Sequence, residues 1–200
     1  MNDARAKLNK IKDEIYLRST QSRSSYLKLI DQWKDISPNT QSMGCSNVAH
    51  TYAACNKSNP HASKLPMVGI VSSYNDMLSA HAPFQDYPNL LKQYGKELDL
   101  HVQVAAGVPA MCDGITQGEP GMELSLFSRD TIALSTAVGL SHNVFDAAIC
   151  MGTCDKIVPG LMIGALRNGH LPMVFISGGP MATGISNTEK NIKRKAFAAQ

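Results

Sequence analysis

The fold turns on the stretch Cys150-Met151-Gly152-Thr153-Cys154-Asp155-Lys156-Ile157-Val158-Pro159-Gly160. It opens inside Ala147-Ala148-Ile149-Cys150-Met151, a short unbroken apolar run of the kind that becomes a strand buried on both faces. Gly152 and Thr153 end the run. A thiol, a carboxylate and an amine then follow in consecutive positions, and Pro159 suits the first turn of a helix, where its missing N–H removes no hydrogen bond. Cys154, Asp155 and Lys156 are therefore expected at the carboxyl end of a strand, the edge at which open α/β sheets place their ligands.

The same pattern repeats outward from this stretch. Met67–Val71 is an apolar strand that runs into the polar turn 72–76, and a helix is expected over 83–98 with Phe84, Leu90, Leu91 and Leu98. His101–Ala105 is a second strand, leading into a glycine-rich segment from Gly107 to Gly121 and a long helix over 122–141. After the strand 147–151 come a helix over 159–168, a strand over 171–176 and a final helix from near Asn187. Alternation at crossover spacing predicts an α/β fold: a parallel sheet flanked by helices on both faces, spanning 66–200. Residues 1–65 are expected to be a helical and irregular segment packing on that domain. In it, Leu8, Ile11, Ile15, Leu27, Ile30 and Trp33 have helical spacing, and the Ser-rich run 19–25 predicts a break into two amphipathic helices. The Ser-, Asn- and Pro-rich stretch 36–65 reads as irregular, with a short helix over 47–55.

Composition narrows the function classes. The chain has 200 residues, 44% of them hydrophobic, enough for a substantial core. A net charge of +3 without a long basic stripe argues against nucleic acid, and Lys190, Lys193, Arg194 and Lys195 read as a solvated helix face. No apolar stretch has the length to cross a bilayer, so no membrane partner is expected. The charged start, Met1 to Lys12, is unlike a signal peptide. Five unevenly spread cysteines do not form a disulfide framework, so a cytoplasmic setting is expected. Cys45 and Cys55 flank His50 at a spacing that fits neither a zinc ribbon nor a redox pair.

Four polar loops would line one edge of the sheet. They offer Asn75 and Asp76; Cys112 and Asp113; Cys154, Asp155 and Lys156; and Ser177, Gly178 and Gly179. Carboxylates from two loops suit a hard dication such as Mg²⁺, whereas a thiolate beside them calls for a softer partner such as iron. Plainer readings stand alongside: Asp113 before Gly114 as a turn residue, Cys154 as a small buried hydrophobe, Lys156 as the ion-pair partner of Asp155 or Asp113. Gly107–Gly121 lacks a dinucleotide fingerprint, and the Ser177-Gly178-Gly179 turn is either a phosphate cradle or a tight strand exit. Residue types alone thus leave open a lyase-type metal site and a non-catalytic phosphate- or nucleotide-binding α/β domain.

Five blocks go further. Ser73-Tyr-Asn-Asp-Met-Leu-Ser-Ala-His81, Gly107-Val-Pro-Ala-Met-Cys-Asp-Gly114, Gly118-Glu-Pro-Gly-Met-Glu-Leu-Ser125, Cys154-Asp-Lys-Ile-Val-Pro-Gly160 and Ser177-Gly-Gly-Pro-Met181 closely resemble the dihydroxy-acid/6-phosphogluconate dehydratase family. The likeness runs from about residue 14 onward, and the first two blocks are similar to its 6-phosphogluconate branch. It implies a cytoplasmic homodimeric hydro-lyase that converts the phosphorylated sugar acid 6-phospho-D-gluconate to 2-dehydro-3-deoxy-6-phosphogluconate in the Entner–Doudoroff route. Dihydroxy acids or unphosphorylated aldonic acids are the alternative substrates. Cys154 matches an iron–sulfur ligand, of the [4Fe–4S] type in this branch. Asp113 and Asp155 match ligands of Mg²⁺ or Mn²⁺, and Lys156 matches a lysine that is carboxylated in some members and then ligates. Asp113 and Lys156 are accordingly the catalytic candidates. The family's C-terminal β-barrel domain is absent from this chain, which by itself is expected to be inactive.

Overall fold

A computed structural model describes residues 2–35, 50–51, 53–54, 65–178 and 185–199. Among these, four strands form one sheet: β1 (Met67–Ser72), β2 (His101–Gly107), β3 (Ala147–Met151) and β4 (Met173–Ile176), in the order β2-β1-β3-β4. Every pairing is parallel. All residues of β1 are buried, as a central strand covered on both faces requires.

Side-chain alternation along β1 divides the core between the two faces. Met67 and Val71 point to one cluster, with Ile132 and Leu140 of helix α4 (Ser125–Leu140) and Ile157 and Leu161 of helix α5 (Ile157–Arg167). Val68 and Ile70 point to the other, with Phe84, Val102 and Met151, flanked by Tyr87 and Leu91 of helix α2 (Tyr87–Glu97). Helices therefore lie on both faces, as the alternation predicts. The helix expected over 83–98 is in two pieces, a 3-10 turn at Ala82–Gln85 and then α2, because Pro83 and Pro88 each start a new turn. Likewise a 3-10 turn at Pro120–Leu124 precedes α4.

Helices α4 and α5 meet closely. A Cβ on Gly160 would lie 2.8 Å from the Arg129 carbonyl oxygen, and one on Gly164 only 2.5 Å from Thr136 Cβ. Only glycine permits this approach.

The N-terminal segment departs from expectation. Instead of two helices broken at 19–25, Asn2–Asp35 forms one continuous helix, α1. Its hydroxyls bond back to the preceding turn rather than interrupting it: Ser19 Oγ donates to the Ile15 carbonyl at 2.7 Å and Thr20 Oγ1 to that of Tyr16 at 2.9 Å. The carboxyl-terminal third docks on the sheet domain. Tyr26 Oη donates to the Leu166 carbonyl at 2.8 Å, Ile30 is buried, and Trp33 packs against His170 and beneath Arg167. Leu8, Ile11 and Ile15 are exposed.

Helix α6 (Asn187–Ala198) starts at Ser186 with a reciprocal cap to Glu189 and carries no buried residue, consistent with a solvated basic face. A short helix α3 (Asp113–Thr116) lies in the loop after β2. Cys45, Cys55, Gly179 and most of the stretch expected to be irregular lie outside the described residues. No described helix is long and apolar enough to cross a membrane.

Candidate functional site

In the order β2-β1-β3-β4, the chain leaves β1 for one side of the sheet and later returns to the other. The carboxyl ends of β1 and β3 therefore flank the crevice at which such sheets bind ligands. Ser73, directly after β1, closes the base of that crevice. Its N–H and its Oγ both donate to the Met151 carbonyl, at 3.0 and 2.9 Å. His81 Nδ1 lies 3.1 Å from both Ser73 Oγ and the Ser73 carbonyl. Since the Ser73 hydroxyl gives its hydrogen to Met151, Nδ1 must be the protonated ring nitrogen, donating to both oxygens. Burial lowers the His81 pKa, so the ring is neutral at physiological pH. The first and third loops are thus held in register by buried hydrogen bonds.

Above this base sits a charged cluster. Lys156, the residue capping α5, donates from Nζ to Asp113 Oδ2 and, at 2.9 Å, to Asp155 Oδ2. Asp113 is the first residue of α3, so the bridge joins the second loop to the third. The other carboxylate oxygen of Asp113, Oδ1, accepts from Ser125 Oγ at 2.6 Å. Hydrogen bonds from Lys156, and then from Ser125, hold the Asp113 carboxyl below its ordinary range, while those to Asp113 and Asp155 raise the Lys156 amine. The resting state is an ammonium between two carboxylates.

Cys154 is exposed and held at a left-handed φ of 76°, an uncommon conformation for a residue with a side chain. Partial burial, and then the nearby Cys112, Asp155 and Asp113, raise its thiol pKa. Cys150, by contrast, is fully buried in the core and its thiol is pushed up to about 11, the inert behaviour of a packing cysteine.

Of the residues singled out in the sequence, the structure brings together Asp113, Asp155 and Lys156, with Cys154 and Cys112 within electrostatic range. Asn75 is not drawn in: its Oδ1 accepts from the Met77 N–H at 2.9 Å and closes a local turn. Gly178 lies so close to the Ala80 carbonyl that a Cβ there would be 2.8 Å away, as in a tight strand exit. His142 bonds locally to the Gly139 carbonyl, and His170 stacks on Trp33. Ser125 and His81 close two of the blocks quoted above, but nothing in the sequence assigns them a role: a serine that begins a helix is commonplace, and His81 stands in no ligand spacing.

The family model described as dihydroxy-acid/6-phosphogluconate dehydratase N-terminal matches residues 65–200, the whole of the sheet domain and this cluster. The chain belongs to that family. It is 56% identical over 187 residues to a phosphogluconate dehydratase of Pseudomonas aeruginosa, covering 92% of this chain and 31% of that protein. It is 51% identical over 198 residues to the phosphogluconate dehydratase of Rhizobium meliloti, covering 98% of this chain and 33% of the relative. A dihydroxy-acid dehydratase of Akkermansia muciniphila is 41% identical over 121 residues, covering 60% of this chain and 21% of its own length. The chain thus spans about a third of the length of the phosphogluconate dehydratases it matches.

Proposed function

We propose that this chain supplies the cation- and cluster-binding part of a hydro-lyase that dehydrates 6-phospho-D-gluconate to 2-dehydro-3-deoxy-6-phosphogluconate, a step of the Entner–Doudoroff route. One observation carries the reading. Carboxylates from two different loops converge on a single positive charge beside the crevice between β1 and β3. Among the described residues no three His, Cys, Asp or Glu groups gather into a metal-binding set. Two carboxylates nonetheless fit Mg²⁺ or Mn²⁺, since Mg²⁺ is typically held by one or two protein carboxylates together with water and substrate oxygens. Asp113 and Asp155 would hold the dication, with Lys156 joining them as a ligand only once its amine is carboxylated, and Cys154 would hold one iron of a [4Fe–4S] cluster. Bound there, these groups supply Lewis-acid stabilisation of the charge that develops on the substrate carboxylate and on the departing hydroxyl.

The chain's own side chains do the rest. Lys156, as an ammonium, offsets the charge of both carboxylates and can donate to a substrate oxygen. Asp113 is fixed through both of its oxygens, so its orientation is set before any ligand arrives. Cys154 must lose its proton to ligate iron, so its raised pKa makes cluster uptake rise with pH. The names of the relatives above 50% identity support the phosphogluconate branch over the dihydroxy acids. A homodimer in the cytoplasm belongs to the same reading.

The test is a chimera in which this chain replaces the matching third of the Pseudomonas aeruginosa enzyme, purified without air. Conversion of 6-phosphogluconate to a 2-keto acid with Mg²⁺ or Mn²⁺, abolished by air and by Cys154→Ser, is the expected result. A brown, folded chimera that forms no keto acid from 6-phosphogluconate overturns the substrate and points to dihydroxy or aldonic acids. A colourless, air-indifferent protein that retains a nucleotide overturns the lyase reading.

A further inference from the structure

Asp113 is the only residue of the charged cluster whose two oxygens are bound by different elements. Lys156 takes Oδ2 from the third loop, while the Ser125 hydroxyl takes Oδ1 at 2.6 Å from the first residue of α4. Ser125 is 1% exposed, so the donor is fixed by its surroundings, while the Asp113 carboxylate that accepts from it stays partly open to the crevice; a hydroxyl–carboxylate bond of this kind is charge-assisted and directional. Its position is not left to a loop. The Ser125 N–H donates to the Met122 carbonyl, closing the turn that leads into α4. α4 in turn packs on α5 at the glycine contacts of Gly160 and Gly164, and α5 starts immediately after Lys156. One close helix pair therefore sets the separation of the two donors that grip Asp113.

We propose that Ser125 is a positioning residue of the cation site: by holding Oδ1 it turns Oδ2 alone toward Lys156 and the dication. This rests on the cation reading above and goes beyond it, because among the described residues Ser125 makes no hydrogen bond to Lys156 or Asp155. A ligand carboxylate hydrogen-bonded in this way is pre-oriented and binds through one oxygen. Without the hydroxyl the carboxylate can rotate about its Cβ–Cγ bond, and the ordering lost must be recovered when the cation binds. Removing an outer-shell partner of this kind typically weakens metal binding about 10–100-fold.

The experiment titrates Mn²⁺ alone into this chain and follows the loss of the free-ion electron paramagnetic resonance signal. Ser125→Ala is expected to weaken Mn²⁺ by roughly 10-fold or more, and Ser125→Thr, which keeps the hydroxyl, to restore most of it. Ser128→Ala is the control. Its hydroxyl donates to the Ser125 backbone carbonyl at 2.6 Å and does not touch Asp113, so affinity is expected to stay at the parent value. If Ser125→Ala does not fold, Ser125→Cys replaces the hydroxyl by a weak donor of similar shape, and it should lose affinity where Ser125→Thr does not. Parent-like affinity in the alanine or cysteine variant overturns the positioning role and leaves the cation reading standing. Failure of the folded parent chain to bind Mn²⁺ overturns both.

Discussion

At the residue scale, the Asp113–Lys156 bridge sets a pH window. The Asp113 pKa is lowered from its ordinary 3.8, so the stability it contributes is present above that value and is lost as pH falls through the depressed one. The Lys156 pKa is raised from 10.5, so its contribution is present below that value and is lost as pH rises through the elevated one. Asp113→Asn should therefore flatten the acid limb of a urea-midpoint profile of the metal-free chain below about pH 4, and an unchanged limb would show that the bridge is screened away. Cys154 makes a second case. Its left-handed backbone disfavours any Cβ by about 1 kcal/mol, so Cys154→Gly should be more stable than Cys154→Ala by roughly that amount in chemical denaturation. Equal stabilities would mean that the turn relaxes at no cost. A thiol kept in a strained turn points to selection for what it binds rather than for stability.

At the element scale, the α4–α5 contact is the feature most sensitive to a small change. Gly164→Ala places a methyl group 2.5 Å from Thr136 Cβ and 2.9 Å from the Ala133 carbonyl oxygen, so one helix must move. The expected loss is about 1–3 kcal/mol of unfolding free energy. Because α5 carries Lys156 at its start and α4 carries Ser125, the same variant should also weaken Mn²⁺ binding although it lies in the core. Full stability with unchanged Mn²⁺ affinity would contradict the close packing. Elements were the most legible level of the sequence. The β3 run and the start of α6 match expectation, because unbroken apolar runs and a capping box are local signals. The Ser-rich run does not break α1, because serine favours turns only when its hydroxyl finds no carbonyl in the preceding helical turn, and here Ser19 and Thr20 find one.

At the scale of the whole molecule, three histidines bear on acid stability. Burial lowers the pKa of His81, His101 and His170 below 6.5, helped by Lys92 for His101 and Arg167 for His170. As pH falls below 6.5 the unfolded chain takes up protons before the folded one, so stability should decline before the carboxylates titrate. The urea midpoint should be lower at pH 5.5 than at pH 7.5, and His81→Asn, which retains a donor near the Nδ1 position, should reduce the difference; a flat profile over that interval would exclude the buried neutral rings. All three lie in different places: His81 at the base of the crevice, His101 at the start of β2, and His170 against Trp33 of α1. The effect is therefore a property of the assembled fold.

The sequence by itself determined the alternation of strand and helix, the parallel sheet, and the placing of Cys154, Asp155, Lys156 and Asp113 in loops at one edge. Each follows from the period of apolar residues and from turn chemistry, which act over a few positions. Only the tertiary structure decided that Lys156 joins Asp113 to Asp155, that Ser125 holds the far oxygen of Asp113, and that His81 reaches Ser73 as the Nδ1–H tautomer. Those contacts depend on the distance between loops far apart in the chain. That distance is set by sheet order and by how closely two helices can approach, and neither leaves a local mark in the sequence.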